Sequence, residues 1–554
     1  MLQKLNNFEE LCLSFKWNIP EFYNIASDTV DQDIYQNRIA LINFLQDGKI
    51  EEWSFVDIKR YANKLANVFD HFHLEANARV GIILGQCPET AIAHMACFKS
   101  GKISIPLFNL FGTDALHYRL LNSRASLVIC DNIGLNKIFE IKDRLPDLKK
   151  IICIDSNDEK RNVFNFKKLL EHASDSYITK KTKASDPALI IYTSGTTGGP
   201  KGALLPHRSL LGHIPGVEIP HEFLSSSEPV TDLFWTPADW AWIGGLFDVL
   251  LPAWYFGIPV VSYRSQKFDP EFTFDLISKL EIKNTFLPPT ALKMMKSFNL
   301  YKSRDKLHLR TVGSGGEALG EELLNWGKEI LNVGINEFYG QTECNLTVSN
   351  NVLIMKQKLG SIGRPVPGHK VKLMKDDGTF ISKSDDEGEI VVQSNSPSIF
   401  SGYWNNDKET QKKIIDGWLH TGDYATVDDE GYFYFKGRKD DLINSSGYRI
   451  GPTEIENTIL SLQEVEMVAV VGVPDELRGE KIKAVIVPRE KSLLKNKNEN
   501  LKDKIKEHVK QNLAAHEYPR LIEFVKELPL TTTGKIKRNL IRKNHIEVKN
   551  ERKI

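Results

Sequence analysis

Over the first two thirds of the chain, short apolar runs alternate with stretches of helical pattern. Val80–Leu84 is an apolar run ended by Gly85, and Glu89 to Phe98 has helical spacing. Ile103–Pro106, Leu127–Cys130 and Ile151–Ile154 are further short runs. Strands of this length separated by helical patterns predict a parallel sheet with helices on its faces. No fixed internal period appears, which argues against a repeat array.

After about residue 360 the pattern turns β-rich. Val371–Met374 and Glu389–Gln393 read as strands, and a turn at Asp429–Gly431 leads into a strand at Tyr432–Phe435. Gly437–Asp441 then offers a polar joint. Beyond it a compact αβ unit is expected, with a helix from Pro452 to Leu462 and strands at Val468–Gly472 and Ile482–Val487. The Lys/Asn/Glu-rich stretch 490–504 is expected in a solvated loop and helix start. The fold class is therefore α/β: a large N-terminal domain (1–438) of αβ layers with a β-rich section, and a small C-terminal α+β domain (439–554).

Composition narrows the classes. At ~100–200 residues per domain, a chain of 554 residues calls for two or more domains. Lysine plus arginine and aspartate plus glutamate both number 72, so the formal net charge is zero. With no basic excess and no recognisable motif, nucleic acid is not expected as a partner. The basic stretch from Gly534 to Ile554 is either a solvated terminal helix or part of a local anion site. No run of ~18 apolar residues is present, so no membrane span is expected. The six cysteines are scattered and form no C-x-x-C pair, which disfavours a zinc cluster and suits a reducing compartment. The first residues carry acids and lack a basic-then-apolar signal pattern, so the expected location is cytoplasmic.

The most informative segment is Ile190–Gly202. An apolar strand runs directly into Thr193, Ser194, Gly195, Thr196, Thr197, Gly198, Gly199, Pro200 and Lys201. Glycines let the backbone turn tightly and aim N–H groups at an anion, the hydroxyls add donors, and Lys201 adds charge. This chemistry suits phosphate oxygens. It is neither a Walker A loop, because Pro200 precedes Lys201, nor the G-x-G-x-x-G of dinucleotide folds.

Thr193–Gly202 resembles the signature loop of the adenylate-forming superfamily, which contains acyl-CoA synthetases, adenylation domains of peptide synthetases and luciferases. Further segments resemble that superfamily in the same order along residues 190–540. The resemblance implies that Gly316, Glu317 and Ala318 line the adenine. Phe338–Glu343 resembles the Tyr-Gly-x-Thr-Glu motif: Tyr339 offers a ring to stack on, Thr342 a hydroxyl, and Glu343 a carboxylate able to hold Mg²⁺, with Gly340 and Gln341 between them. It also implies that Asp423 binds the ribose hydroxyls and Arg438 the nucleotide. Gly437–Glu456 resembles the hinge motif, with the hinge at Lys439 or Asp440 and with Ser446, Gly447, Tyr448 and Arg449 at a CoA tunnel. Arg449 and Arg478 suit CoA phosphates, although Arg478 equally suits a surface ion pair. Pro529–Arg538 resembles the C-terminal lysine motif. Lys535 is then expected to stabilise charge when a carboxylate attacks the α-phosphate.

The implied reaction has two halves. Mg·ATP and a carboxylic acid give an acyl-adenylate and pyrophosphate, with Lys201, Glu343 and Lys535 as catalytic residues. The small domain then turns about the hinge, and CoA takes the acyl group as AMP leaves. For the acid, the resemblance places a tryptophan at the Gly340 position in acetate-specific relatives, so a glycine implies room for a longer chain. Trp242 and Gly245 are candidate pocket residues, with core packing the alternative reading for Trp240 and Trp242. Gly447–Arg449 and His516–Arg520 look most like medium-chain acyl-CoA synthetases, so a short- or medium-chain acid is expected. Acetate or propionate activation and the loading of a carrier protein are the competing expectations.

Overall fold

The computed structural model describes the chain except residues 157, 159–160, 194–198, 226–229, 265–266, 299–306, 317–318, 382–385, 446–447, 476–477, 491–497, 514–516, 531–534 and 552–554. Two large sheets dominate it. The first has seven strands in the order Val163–Asn165, Lys150–Cys153, Leu127–Cys130, Arg79–Ile83, Ile103–Pro106, Pro187–Thr193 and Lys201–Pro206. All neighbours are parallel except the last pair. The second has nine strands, with a parallel centre from Ile39–Phe44 to Ile335–Gln341 and antiparallel strands at both edges. The four strands expected from apolar runs all belong to the seven-stranded sheet, displaced by at most one residue at the edges.

One hydrophobic cluster joins the two sheets, taking Val80, Ile82 and Leu127 from one and Leu41, Val260 and Val348 from the other. Helix Pro88–Lys99 lies in it and is buried at every position but Glu89. An all-round buried helix needs no polar face, which explains its run of Ala, Ile, Met, Cys and Phe. Helix Phe55–His71 lies at the edge instead. A capping box of Ser54 and Asp57 starts it, and its buried Phe55, Ile58, Ala62, Leu65, Ala66 and Phe69 form one stripe.

A third sheet of five strands spans Val371–Met374 to Phe433–Arg438 and is antiparallel, which accounts for the β-rich pattern. The fourth sheet also has five strands, from Ile443–Ser445 onward. It carries two clusters of its own, one around Ile455, Val468 and Ile505 and one around Val471, Val485 and Ile541. The basic end of the chain is a helix, Arg538–Glu551. No helix among the described residues is long and apolar enough to cross a membrane.

Candidate functional site

A cleft of 1660 Å³ opens at the carboxyl ends of the parallel strands in both large sheets. That edge is where open α/β sheets bind ligands, because strands end and loops diverge there. Trp235, Phe286, Gly315 and Tyr339 come from one sheet and Asp131, Asp155 and Thr193 from the other. Lys535 and Arg538 enter from the C-terminal part.

The strands on either side of the segment expected at phosphate, Pro187–Thr193 and Lys201–Pro206, are antiparallel neighbours. Thr193 stands opposite Lys201, and its Oγ1 donates to the Lys201 carbonyl at 3.4 Å. Ser194, Gly195, Thr196, Thr197 and Gly198 lie outside the described residues. A methyl group on Gly199 would come within 3.2 Å of the Tyr118 hydroxyl. The Lys201 ammonium pairs with Glu409 and lies 5.3 Å from the centre of the Tyr403 ring. Tyr403 in turn donates its hydroxyl to Oε1 of buried Glu343 at 2.5 Å. Burial, together with the Glu343 charge, pushes the Tyr403 hydroxyl well up, so it stays a donor. Lys201 and Glu343 therefore share one wall, bridged by a tyrosine that lies 60 residues beyond Glu343.

A second network surrounds Asp423, which is 5% exposed. Its Oδ2 accepts from the Tyr339 hydroxyl at 2.7 Å and from Gln341 Nε2 at 2.6 Å, and its Oδ1 accepts from Arg438 Nε at 3.1 Å. Asp423 and Arg438 are register partners on neighbouring strands, which is why residues fifteen apart in the chain meet. Lys413 fixes Gln341 from behind, donating to its Oε1 and to the Thr421 carbonyl, both at 3.0 Å. Thr342 also lines the cleft. Tyr403, Glu409 and Lys413 were not singled out from sequence, because no local pattern marks them.

Gly316 has φ +97°, a left-handed conformation that suits glycine, and a Cβ built on it would lie 3.9 Å from Lys535 Cε. The exposed Lys535 thus reaches the cleft next to the segment expected at the adenine; Glu317 and Ala318 themselves lie outside the described residues. One ion pair ties the C-terminal part to the strand before it, Lys436 with Glu454 at 2.5 Å, while Arg542 with Asp441 at 2.9 Å and Arg538 with Glu456 at 2.7 Å brace that part internally. Lys439 pairs with Asp376 at 2.8 Å, and its N–H donates to the Gly422 carbonyl. Asp440 lines the cleft beside it.

The residues expected at CoA fall partly outside the described residues. Ser446 and Gly447 are outside the described residues, as are the side chains of Tyr448 and Arg449. The backbone sets Arg449 opposite Asn444 in a hairpin. Ser445 pairs with Gly479, which brings Arg478 beside that hairpin and outside the cleft lining.

The acyl-pocket expectations are partly corrected. Trp242 lines the cleft, packed on Phe108 and Phe111 with ring centres 5.6 and 6.1 Å away, while Trp240 is fully buried core. Gly245 does not line the cleft: a Cβ there would fall 2.3 Å from the Asp239 carbonyl, so its bareness serves helix packing. Its neighbour Gly244 lines the cleft instead, against Phe286. Gly340 does line the cleft, but a Cβ on it would lie 1.6 Å from the Asn345 carbonyl oxygen. Its missing side chain is first a demand of the hairpin with Asn345–Ser349, which has a register shift at this point.

Two wound sheets meeting over a cleft lined by two separate polar networks give the architecture of an α/β enzyme. The chain belongs to the AMP-binding enzyme family: the family model matches residues 31–404, and the AMP-binding enzyme C-terminal domain matches residues 454–535. It is 32% identical to the mitochondrial acyl-coenzyme A synthetase ACSM3 of Rattus norvegicus, covering 98% of this chain and 94% of that protein. It is 31% identical to the acetyl-coenzyme A synthetase of Bacillus subtilis, covering 97% and 95%. The crystal structure of the anthranilate CoA ligase AuaEII in complex with anthranoyl-AMP superimposes with a TM-score of 0.86 at 27% identity, covering 96% of this chain and 99% of that one.

Proposed function

We propose that this protein is an ATP-dependent acyl-CoA synthetase that converts a short- or medium-chain carboxylic acid to its acyl-adenylate and then to the CoA thioester, releasing pyrophosphate and AMP. The observation that supports it most is the approach of Lys535 to Gly316, within the cleft that holds Lys201, Glu343, Asp423 and Arg438. Lys535 is well placed to stabilise the charge that develops as the carboxylate attacks the α-phosphate. Tyr339, Gln341, Asp423 and Arg438 would orient the nucleoside, with Thr193 and Lys201 on the phosphates.

Mg²⁺ fits this wall. Glu343 has one oxygen held by Tyr403, and a carboxylate retains further acceptor capacity for a hard cation that keeps phosphates in its shell. Bound there, the ion would neutralise phosphate charge; Glu343 is the residue that would hold it.

For the second half-reaction, the domain from residue 439 onward would turn about Lys439 and Asp440, withdrawing Lys535 and bringing in the hairpin that carries Gly447 and Arg449. Its ties to the rest include the ion pairs of Lys436 with Glu454 and of Lys439 with Asp376, which a rotation can exchange at little cost. The six free thiols suit a reducing compartment.

The test is AMP and acyl-CoA release from ATP, Mg²⁺ and CoA with straight-chain acids from acetate to dodecanoate, plus benzoate. Turnover peaking in the short-to-medium range supports the reading. A peak at acetate favours the acetate or propionate alternative, which gains ground because Gly340 is closed off by Asn345. Absence of AMP with every acid sinks the synthetase assignment.

A further inference from the structure

Behind Asn345 the cleft holds a carboxyl that none of the steps above uses. Asp248 sits at the middle of Leu246–Leu250, a single π-helical turn set between the short helical turns Ile243–Gly245 and Leu251–Tyr255. Such turns re-aim a side chain out of the helical register and recur at functional sites. Asp248 is 4% exposed and lines the cleft. Its Oδ1 accepts from Asn345 Nδ2 at 2.7 Å, and no other described residue partners the carboxyl.

Asn345 itself has φ +50°, in the left-handed region, and its carbonyl closes against Gly340. Asp248, Asn345 and Gly340 are therefore one continuous wall, next to Tyr339. The neighbouring lining is apolar: Phe286, Phe338, Gly244, Leu346 and Ile362. A plain alkyl chain laid along this wall would leave a buried carboxyl half satisfied, which is unfavourable.

We propose that Asp248 receives a hydrogen-bond donor, a hydroxyl or an ammonium, carried by the substrate acid at the end away from its reacting carboxylate. The inference rests on the synthetase reading and narrows its substrate class to polar-tipped acids. Burial pushes the Asp248 carboxyl up to about 8, so near neutral pH it holds a proton of its own. A hydroxyl meets that neutral acid as a second hydrogen-bonding group; an ammonium favours the carboxylate and forms an ion pair. A site built to bond a substrate group can reject the analogue lacking it by up to about four or five powers of ten.

The experiment compares kcat/KM for AMP release with butanoate and hexanoate against their ω-hydroxy and ω-amino counterparts. One substituted series should exceed the plain acids by about tenfold or more in the wild-type protein. Asp248→Leu should remove that preference, and Asp248→Asn should keep it for hydroxy acids and lose it for amino acids, which separates the two donors. The wild-type ratio stands alone if the leucine variant fails to fold. Plain acids that turn over as well as both substituted series, or a preference unchanged in Asp248→Leu, overturn the inference and leave the synthetase reading intact. No AMP with any acid overturns both.

Discussion

The two ends of the cleft are built on opposite plans. At the nucleotide end, charged and polar side chains are tied to one another: Lys201 to Glu409, Tyr403 to Glu343, and Arg438, Gln341 and Tyr339 to Asp423. At the acyl end, shape is set by bare backbone and rings, with Gly340 against Asn345, Gly244 against Phe286 and Trp242 against Phe108. On the synthetase reading the first end is fixed by chemistry, because phosphate, ribose and a metal ion would demand particular functional groups. The second is fixed by close packing, with the buried Asp248 carboxyl set into its wall.

If this contrast holds, damage at the nucleotide end should abolish a chemical step, whereas damage at the acyl end should change stability or choice of acid. The largest effect is expected from Lys535→Ala. Removing a charge-stabilising donor costs roughly 100- to 1000-fold in rate, so ATP–pyrophosphate exchange should fall by that order. Thioester formation from supplied acyl-adenylate should be spared. Equal loss of both halves would mean that Lys535 only braces the C-terminal part. Next in size is Asp423→Asn, which leaves the shape but removes the charge that Arg438 faces. A hydrogen bond to a charged group contributes about 1.5–3 kcal/mol. The KM for ATP should therefore rise by about tenfold to a hundredfold with the acid's KM unchanged. A change in the acid's KM instead would break the division between the two ends.

The same contrast explains what could be read from sequence. Tyr339, Glu343, Asp423, Arg438 and Lys535 stand in segments that could be read as motifs, and all line one cleft. Their supports could not be read: Tyr403 and Lys413 reach Glu343 and Gln341 across 60 and 72 residues of chain, from positions with no local pattern. The fold followed the same rule. Buried parallel strands are continuous apolar runs and were legible. The short strand Phe234–Trp235 was not, since two residues carry no periodicity. At the acyl end, Gly340 and Gly245 were visible as glycines, but which neighbour forbids a side chain is a tertiary fact.

Gly340→Ala sharpens this point. Because Asn345 occupies the space of the new methyl, the backbone must shift, at a cost typical of overpacking, about 1–3 kcal/mol. The expected outcome is a lower Tm with the ranking of acids nearly unchanged. A variant of undiminished Tm that favours shorter acids would restore the view that this glycine is a missing pocket wall.

The smallest effect belongs to Glu409, and its sign can be worked out. The Lys201 ammonium, and after it Lys412, hold the Glu409 carboxyl at about 2, below its ordinary 4.5. A carboxyl lowered by folding adds stability that is fully present above its ordinary value and lost as pH falls through the folded one. The Tm gap between wild type and Glu409→Gln should thus be constant at neutral pH and close between pH 4.5 and about 2. The gap itself should be small, under about 1 kcal/mol, because Lys201 and Glu409 are 20% and 26% exposed and solvent screens such pairs. On the synthetase reading phosphate binding at Lys201 would compete with Glu409, so the variant's KM for ATP should be unchanged or slightly lower. A KM raised tenfold would instead mean that Glu409 holds Lys201 in its working position. The ion pair would then belong to the chemistry of the nucleotide end, where the Lys201 ammonium also meets the Tyr403 ring.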